Sequence, residues 1–334
     1  VAALAPTLQG LRSAWQARKP DHAQRRRDLQ RLRDALKRRL DEMADAVAAD
    51  FGHRSKDESR IAEGMTVLND IDHLLRHLRG WMRPKRVGVG WRFLPARAQV
   101  RPSPLGVVGV IAPWNYPVNL ALIPLATAIA AGNHVFLKPS EHTPRTTRFL
   151  HSLLAEVFPA SRVAVAEGGA DLAGAFAALP FDHLVFTGST AVGRKVMAAA
   201  AANLTPLTLE LGGKSPAIVC ADYPLDRAAA RLATGKWFNA GQTCIAPDYV
   251  LLVGRERRDA LVRELRTQVA ERYGDLGDGA RDYSRIINDG QFARLQGYLD
   301  EARARGCEVL PLAELHDPAQ RLFAPVLVLD PPDD

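Results

Sequence analysis

Cysteine is scarce in this chain, with three residues among 334, and their positions exclude two common uses of the residue. Cys220, Cys244 and Cys307 form an odd set without paired spacing, which offers neither a disulfide framework nor a zinc site. No apolar run reaches the roughly 18 residues of a membrane span, and the N-terminus lacks a signal-peptide pattern. The sequence therefore predicts a soluble cytoplasmic protein from a reducing compartment.

Charge of one sign is not strongly dominant, because the formal net charge is +7 with a pI near 9.5. Arg25-Arg26-Arg27 and Lys37-Arg38-Arg39 form the most basic stretches. Asp28, Asp34 and Asp41 lie close enough on the same helical pattern to pair with them. This pattern favours a solvated helix face over a nucleic-acid site, so no nucleic-acid partner is expected.

The apolar content of 47% is enough to bury a large core. Helical patterns alternate with short apolar runs, which is typical of βαβ units and a mostly parallel sheet. These runs are Leu105–Ala112, His134–Leu137, His183–Phe186 and Ala217–Val219. The predicted fold class is α/β, with a parallel-sheet domain over 1–211 and a second α/β domain over 212–334.

Several elements outside the sheet are also predicted. Helical spacing of apolar residues indicates an amphipathic helix over Asp21–Asp50 and a second helix over Ser59–Arg79. Glycine and proline punctuate residues 83–102, which predicts a protruding hairpin. Further helices are expected near Leu225–Ala240, Arg255–Arg272 and Asp289–Arg305, with a final strand at Ala324–Leu329.

Cys244 is the candidate nucleophile. It lies in Gly241-Gln242-Thr243-Cys244, where small and polar neighbours keep a thiol accessible. A free thiol is already strongly nucleophilic at neutral pH, although only a small fraction is ionised. Cys220, inside an apolar run, and Cys307 fit a structural role.

Glu210 is the candidate general base. It lies in the strand-like run Leu207–Leu211 and is followed by two glycines that indicate a close backbone approach. Apolar neighbours would raise the pKa of its carboxyl toward the operating pH. The alternative is an edge-strand glutamate that faces water.

Asn115 is the candidate oxyanion donor. It follows a predicted strand, at the position where α/β proteins place ligand contacts. Its amide could donate to a developing oxyanion together with the Cys244 backbone N–H. An Asx-turn beside proline is the alternative interpretation.

Two further motifs fit a dinucleotide. Lys138-Pro139-Ser140-Glu141 ends a strand and offers groups that hydrogen-bond ribose hydroxyls, with the glutamate favouring a free 2′-OH. Gly188-Ser189-Thr190-Ala191-Val192-Gly193 joins a strand to a helix whose N-terminal N–H groups suit a diphosphate. Its GxxxxG spacing is neither the dinucleotide fingerprint nor a P-loop.

Together these motifs resemble the aldehyde dehydrogenase superfamily in order and approximate spacing. Cys244-Ile245-Ala246-Pro247-Asp248-Tyr249 and Ser284-Arg285-Ile286-Ile287-Asn288 are most similar to the class 3 branch, which includes coniferyl-aldehyde and fatty-aldehyde enzymes. The resemblance implies a Rossmann-like NAD(P)-binding domain over 1–211, with 83–102 as its bridging hairpin, and a catalytic domain over 212–334.

The resemblance also implies a mechanism and a set of contacts. Cys244 would attack an aldehyde, Asn115 would help to hold the oxyanion, and Glu210 would activate the water that releases the carboxylate. The cofactor would be NAD, with NADP as a possibility, and no metal is implied. The implied cofactor contacts are Trp114, Lys138, Ser140, Glu141, Gly188, Ser189, Val192, Gly193, Leu211 and Gly212.

The chain departs from the family pattern after its last predicted strand. An acidic motif ending in Phe-Gly-Pro and a C-terminal dimerisation arm are expected in this family, and neither is present. We therefore expect a chain cut within its catalytic domain, derived from a homodimeric parent. Two alternatives to hydrolytic oxidation follow: an acylating, CoA-dependent relative, against which Glu210 argues, and an inactive NAD-binding fragment.

Overall fold

The computed structural model describes residues 2–274, 276 and 281–332, and the chain divides into two compact units. The first unit comprises Val1–Met43 and Ile61–Glu210, and the second comprises Ala44–Arg60 and Leu211–Asp334. The sequence-predicted boundary lies one residue later. That prediction did not include the packing of residues 44–60 with the second unit.

Helices dominate the first 81 residues. Their bounds are α1 Leu4–Ala17, α2 His22–Arg38, α3 Leu40–Phe51, α4 Lys56–Ser59 and α5 Thr66–Trp81, with a π-helical segment at Arg60–Met65 between the last two. The prediction of one helix over Asp21–Asp50 is wrong, because the helix is interrupted at Arg39. Asp21 begins α2 by accepting a hydrogen bond from the Gln24 N–H at 2.7 Å.

A two-stranded hairpin follows α5, as the glycines and prolines of this region predict. Strand β1 (Lys85–Val87) pairs antiparallel with β2 (Ala98–Val100). The hairpin is exposed, including Trp91 at 78% and Phe93 at 69% of their accessible surface. Its apolar side chains therefore contribute little to the core of the first unit.

The five-stranded sheet of the first unit has the order β5-β4-β3-β6-β7. Its strands and helices are β3 Val107–Ile111, α6 Asn119–Ala131, β4 His134–Lys138, α7 Pro144–Val157, β5 Val163–Val165, α8 Ala170–Ala177, β6 His183–Gly188, α9 Thr190–Ala201 and β7 Leu207–Leu211. The pairs β3–β4, β3–β6 and β4–β5 are parallel, which confirms the predicted α/β class.

Helices α1 and α6 pack against the central strands β3 and β4. All residues of β3 and β4 are buried, as is typical of a parallel sheet. Phe136, Phe176 and Phe181 form an aromatic cluster with ring centroids 4.9 to 6.3 Å apart. Each such side chain contributes about 1.5–3 kcal/mol through burial. The cluster packs β4 against α8 and against the segment just before β6.

The second unit has its own core. Its elements after residue 211 are β8 Pro216–Val219, α10 Leu225–Trp237, β9 Tyr249–Leu252, α11 Arg258–Tyr273, α12 Asp289–Ala304, β10 Glu308–Pro311 and β11 Val326–Leu329. Strands β8 and β9 pair in parallel, whereas β10 and β11 pair antiparallel. Trp237, Leu265 and Tyr283 belong to the hydrophobic cluster of this unit. Strands β9 and β10 were not predicted from the sequence.

The described residues contain no candidate for a membrane-spanning helix. None of their helices combines the length and the apolar character needed to cross a bilayer.

Candidate active site

Three of the predicted functional loops follow adjacent strands at one edge of the five-stranded sheet. Ile111 of β3 is level with Lys138 of β4 and with Phe186 of β6. Because these strands are parallel, their carboxyl ends meet at the same edge, where α/β proteins bind ligands. The loops that carry Asn115, Glu141 and Ser189 therefore belong to one edge of the first unit.

Lys138 and Glu141 form a close ion pair in the loop after β4. The Lys138 Nζ lies 2.5 Å from the Glu141 Oε2, and the lysine side chain is almost fully buried whereas the glutamate is one-third exposed. Burial alone would raise the pKa of Glu141, but the hydrogen bond and charge of Lys138 outweigh it and lower this pKa. Glu141 is thus ionised at neutral pH.

The Ser140 side chain shapes the same loop. Ser140 is buried, and its Oγ accepts a hydrogen bond from the His142 N–H at 3.2 Å. Its carbonyl oxygen accepts from the hydroxyls of Thr143 and Thr147 at 3.3 Å each. These contacts hold the backbone that carries Glu141.

The turn between β6 and α9 joins a strand to a helix start, as the Gly188–Gly193 motif predicts. Ser189 is the N-cap of α9, and its Oγ accepts from the Val192 N–H at 3.3 Å. A Cβ at Gly188 would lie only 2.5 Å from the Phe186 ring, so the turn needs glycine there. Gly193 is buried, whereas Val192 is 46% exposed. The helix start can therefore approach an anionic group closely.

Trp114 and Asn115 are half-buried in the loop between β3 and α6. The end of this loop is held by Glu63, which is fully buried. One carboxylate oxygen of Glu63 accepts from the N–H groups of Val118 and Asn119 at 2.8 and 2.9 Å. The sequence analysis missed Glu63, because a glutamate in a helical pattern usually faces water.

Cys244 is exposed on a short turn of the second unit, as its small and polar neighbours predict. The Ala246 N–H donates to the Thr243 carbonyl at 3.1 Å and closes this turn around Cys244. Cys307 is half-buried. Cys220 is exposed as well, although it lies in an apolar run.

The Cys244 turn is anchored by the side chain of Gln242. Its Nε2 donates to the carbonyls of Asn239 and Arg285 at 3.1 and 3.0 Å. Its Oε1 accepts from the Ile287 N–H at 3.0 Å. These bonds connect the cysteine motif to the Ser284–Asn288 stretch, the second segment that resembles the class 3 branch.

The glycine motif before β8 lies beside the cysteine motif before β9. A Cβ placed on Gly213 would lie 3.6 Å from the Cys244 carbonyl oxygen. Lys214 and Asp248 form an ion pair at 2.6 Å, and the Asp248 N–H donates to the Ser215 carbonyl at 3.2 Å. Burial lowers the pKa of Lys236; the charge of Asp248 opposes this effect and the charge of Lys214 adds to it. Gly213, Lys214, Lys236 and Asp248 all belong to the second unit.

Glu210 does not have the environment predicted for it. Strand β7 is at the edge of the sheet, and Thr208 and Glu210 are its exposed positions. The predicted apolar surrounding of the carboxylate is therefore wrong, and the water-facing interpretation describes its position. Leu211 is half-buried and Gly212 is exposed. Glu210 is assigned to the first unit, and Leu211, Gly212 and Cys244 to the second.

Comparison with known proteins identifies the family. The model of the aldehyde dehydrogenase family matches residues 4–334, and the chain belongs to that family. The chain is 50% identical over 315 residues to a probable coniferyl aldehyde dehydrogenase of Pseudomonas aeruginosa, covering 94% of this chain and 65% of that protein. It is 40% identical over 324 residues to aldehyde dehydrogenase family 3 member B1 of Rattus norvegicus, covering 97% and 68%.

Solved structures agree with this assignment. Staphylococcus aureus AldH in a substrate-bound state matches with a TM-score of 0.91 at 34% identity, over 97% of this chain and 69% of that one. PnpE of Pseudomonas sp. WBC-3 in complex with nicotinamide adenine dinucleotide matches with a TM-score of 0.86 at 28% identity, over 96% and 67%. The class 3 and coniferyl resemblance is confirmed, and the chain spans less than two thirds of the Pseudomonas aeruginosa relative.

Proposed function

We propose that this protein oxidises an aldehyde to a carboxylate with NAD or NADP as hydride acceptor, through a thioester on Cys244. The observation that carries the proposal is the exposed Cys244 thiol, held on an anchored turn beside Gly213. The family match and the coniferyl relative support an aromatic aldehyde such as coniferaldehyde as substrate. A medium- or long-chain aliphatic aldehyde is the other candidate.

The residues of the first unit fit a dinucleotide. The capped start of α9 offers backbone N–H groups to a diphosphate, and Gly188 leaves room for the close approach. The Lys138–Glu141 pair would hydrogen-bond the adenosine ribose, with Ser140 holding its loop. Val192 would pack on the adenine, Trp114 and Gly193 would lie close by, and Leu211 with Gly212 would complete the contacts.

Each chemical step has a residue assigned to it in this proposal. The Cys244 thiolate attacks the carbonyl carbon, and the resulting oxyanion accepts hydrogen bonds from the Asn115 amide and the Cys244 N–H. Bound NAD(P) supplies the acceptor for the hydride that leaves this carbon. The exposed Glu210 then takes a proton from water, which attacks the thioester and releases the carboxylate and the thiolate.

The first experiment measures NADH formation by the purified chain with NAD and coniferaldehyde. We expect Cys244→Ala to abolish turnover and Asn115→Ala to reduce the rate about 10²–10³-fold. Glu210→Gln should slow thioester hydrolysis roughly 10²–10⁴-fold while leaving the first burst of NADH intact. Retained turnover in Cys244→Ala would contradict the mechanism.

Product analysis separates the remaining alternatives. With CoA present, carboxylate as the main product supports hydrolysis, whereas acyl-CoA would identify an acylating enzyme. A chain that NAD stabilises against heat, but that forms no NADH with aromatic or aliphatic aldehydes, would be a binding protein without turnover. The homodimeric state and the cytoplasmic location belong to the same proposal, and light scattering of the purified chain tests the former.

A further inference from the structure

The backbone just before Cys244 is strained. Asn239, Ala240 and Gly241 have φ values of 53°, 50° and 78°, so three consecutive residues occupy the left-handed region. For residues other than glycine, each such conformation costs about 1–2 kcal/mol. Strained backbone of this kind persists only where surrounding contacts determine it.

A buried ion pair lies at the start of this strained run. Glu58 is 8% exposed and Arg54 is 1% exposed, and the Arg54 Nε donates to the Glu58 Oε1 at 3.3 Å. The Arg54 guanidinium also lies 5.1 Å from the centroid of the Phe51 ring. All three residues come from the 44–60 segment, which packs in the second unit with Cys244.

The carboxylate of Glu58 reaches the turn directly. It accepts a hydrogen bond from the Asn239 N–H, and Asn239 is itself fully buried. Burial raises the pKa of Glu58, while the charge of Arg54 and the Asn239 N–H oppose this effect. Loss of this acceptor would leave the Asn239 N–H buried without a partner, which is costly. The bond therefore strongly constrains the first residue of the left-handed run.

A short chain of contacts links this bond to the thiol. The Asn239 carbonyl accepts from the Gln242 N–H at 3.0 Å and from the Gln242 Nε2 at 3.1 Å. Gln242 is anchored on Arg285 and Ile287, and the Cys244 turn begins at the next residue, Thr243. The carboxylate, the left-handed run and the thiol therefore form one connected structure.

We propose that Glu58, paired with Arg54, is a positioning residue that holds the left-handed run at 239–241 and thereby presents Cys244 in one conformation. The proposal rests on the proposed function for the role of Cys244. The hold on the turn itself is a property of the fold and can be measured without turnover. Both residues act through the backbone at 239–241 and not through contact with the substrate or the reacting atoms.

Hydrogen–deuterium exchange of the full chain tests the hold on the turn. Glu58→Ala should accelerate exchange of residues 238–246 about tenfold or more, because the Asn239 N–H loses its acceptor. Glu58→Gln keeps an acceptor oxygen and should stay within about threefold of the wild type. If Glu58→Ala does not fold, Glu58→Asp, whose carboxylate is one methylene further from the turn, should give an intermediate acceleration.

A control variant and a control helix distinguish local loosening of the 239–241 turn from general destabilisation. Asp57→Asn is the matched control, because Asp57 is the adjacent acidic residue and its side chain is 81% exposed. It should leave exchange unchanged throughout. Exchange in Asp289–Ala304 should also be unchanged in the Glu58 variants. Equal acceleration in that helix, or none at 238–246, would overturn the proposal.

Kinetics test whether the hold matters for the reaction. Glu58→Ala should lower kcat about 10–100-fold through misplacement of the nucleophile, leave the KM for NAD unchanged, and be rescued by Glu58→Gln. Unchanged kcat despite accelerated exchange at 238–246 would reject the positioning role. If the wild-type chain forms no NADH while Asp57→Asn and Glu58→Ala differ in exchange as expected, the proposed function fails and the hold on the turn stands.

Discussion

At the scale of single residues, the Lys138–Glu141 ion pair bears on the choice between NAD and NADP in the proposed cofactor site. Because Lys138 lowers the pKa of Glu141, a negative charge stands where the 2′ position of the adenosine ribose is proposed to lie. A free hydroxyl can donate to this carboxylate. A 2′-phosphate would be repelled by it.

We expect Glu141→Gln to shift binding toward NADP. Removal of the charge should reduce the preference for NAD about tenfold, equivalent to about 1.4 kcal/mol. Titration of tryptophan fluorescence with NAD and with NADP measures both dissociation constants. The exposed Glu156→Gln serves as the control, since Glu156 pairs with Arg38 on the helical surface. If the ratio of the NAD and NADP dissociation constants were unchanged in Glu141→Gln, the Lys138–Glu141 pair would have no role in cofactor selection.

His134 makes the stability of the protein depend on pH. It is 4% exposed at the start of β4, and burial together with the charge of Arg162 lowers its pKa to about 4 from 6.5. Above pH 6.5 the side chain is neutral in both the folded and the unfolded states. Between pH 6.5 and 4 only the unfolded state takes up the proton, so stability falls as the pH falls.

The expected loss is about 3 kcal/mol across this range, from the size of the pKa difference. Urea unfolding at pH 7, 5.5 and 4.5 measures it. His134→Gln keeps a donor for the Leu11 carbonyl, which His134 Nδ1 contacts at 3.1 Å, and should lose most of this pH dependence. His151→Gln, a change at an exposed histidine, should retain it. Equal pH dependence in both variants would assign the effect to other groups.

At the scale of elements, α6 depends on a residue that is distant in the sequence. Its N-cap residue, Val118, has no side chain that can cap a helix. Glu63 supplies this function from the π-helical segment, and its charge also suits the positive end of the α6 dipole. The Asn119 side chain returns a hydrogen bond to the Ala62 carbonyl at 2.7 Å.

We expect Glu63→Ala to lower the free energy of unfolding by about 2–4 kcal/mol, because the buried Val118 N–H and the half-buried Asn119 N–H lose their acceptor. Denaturant unfolding of the whole chain measures this change. Glu42→Ala, which removes an exposed surface pair with Arg39, should cost less than about 1 kcal/mol. Similar costs for the two variants would show that water or another group satisfies the α6 amides.

The sequence predicted the strands and loops of the first unit well because both depend on local chemistry. The buried apolar runs became β3, β4 and β6, and the serine after Gly188 became a helix cap. The loop positions of Asn115, Glu141 and Ser189 then follow from the parallel pairing. Such features are encoded within a few residues of where they act.

The features that the sequence did not reveal are set by distant contacts. Glu58 and Glu63 lie in helical patterns whose acidic residues resemble a solvated face, yet both carboxylates are buried by segments far along the chain. Glu210 shows the reverse, since its apolar neighbours alternate with exposed positions on an edge strand. Burial of a charged side chain depends on packing that a single sequence does not display.

At the scale of the whole molecule, the division into two compact units implies that a bound ligand protects one unit from hydrogen exchange more than the other. The proposed cofactor residues lie mainly in the first unit. NAD at 100 times its dissociation constant should stabilise the protein by about 2.7 kcal/mol. Protection from hydrogen exchange should concentrate in residues 138–141 and 187–193, with little change in α12.

A glycine pair provides the control for this prediction. Gly188→Ala should remove most of the protection, since the added Cβ would meet the Phe186 ring at 2.5 Å. Gly174→Ala adds a Cβ into open space within α8 and should leave it unchanged. Protection that is uniform across both units would contradict a cofactor site confined mainly to the first.

The parallel pairing of β8 with β9 sets the register between two segments of the second unit. Pro216 and Tyr249 are opposite each other, so Gly213 and Cys244 are placed by counting three and five residues back along two separate loops. The contact between Gly213 and Cys244 therefore depends on the lengths of these loops as well as on the residue types. A one-residue insertion between Cys244 and Tyr249 would move the Cys244 carbonyl oxygen away from Gly213 while leaving Gly241-Gln242-Thr243-Cys244 unchanged. A point mutation in this turn changes its chemistry, whereas the gain or loss of a residue there would change the position of Cys244 itself.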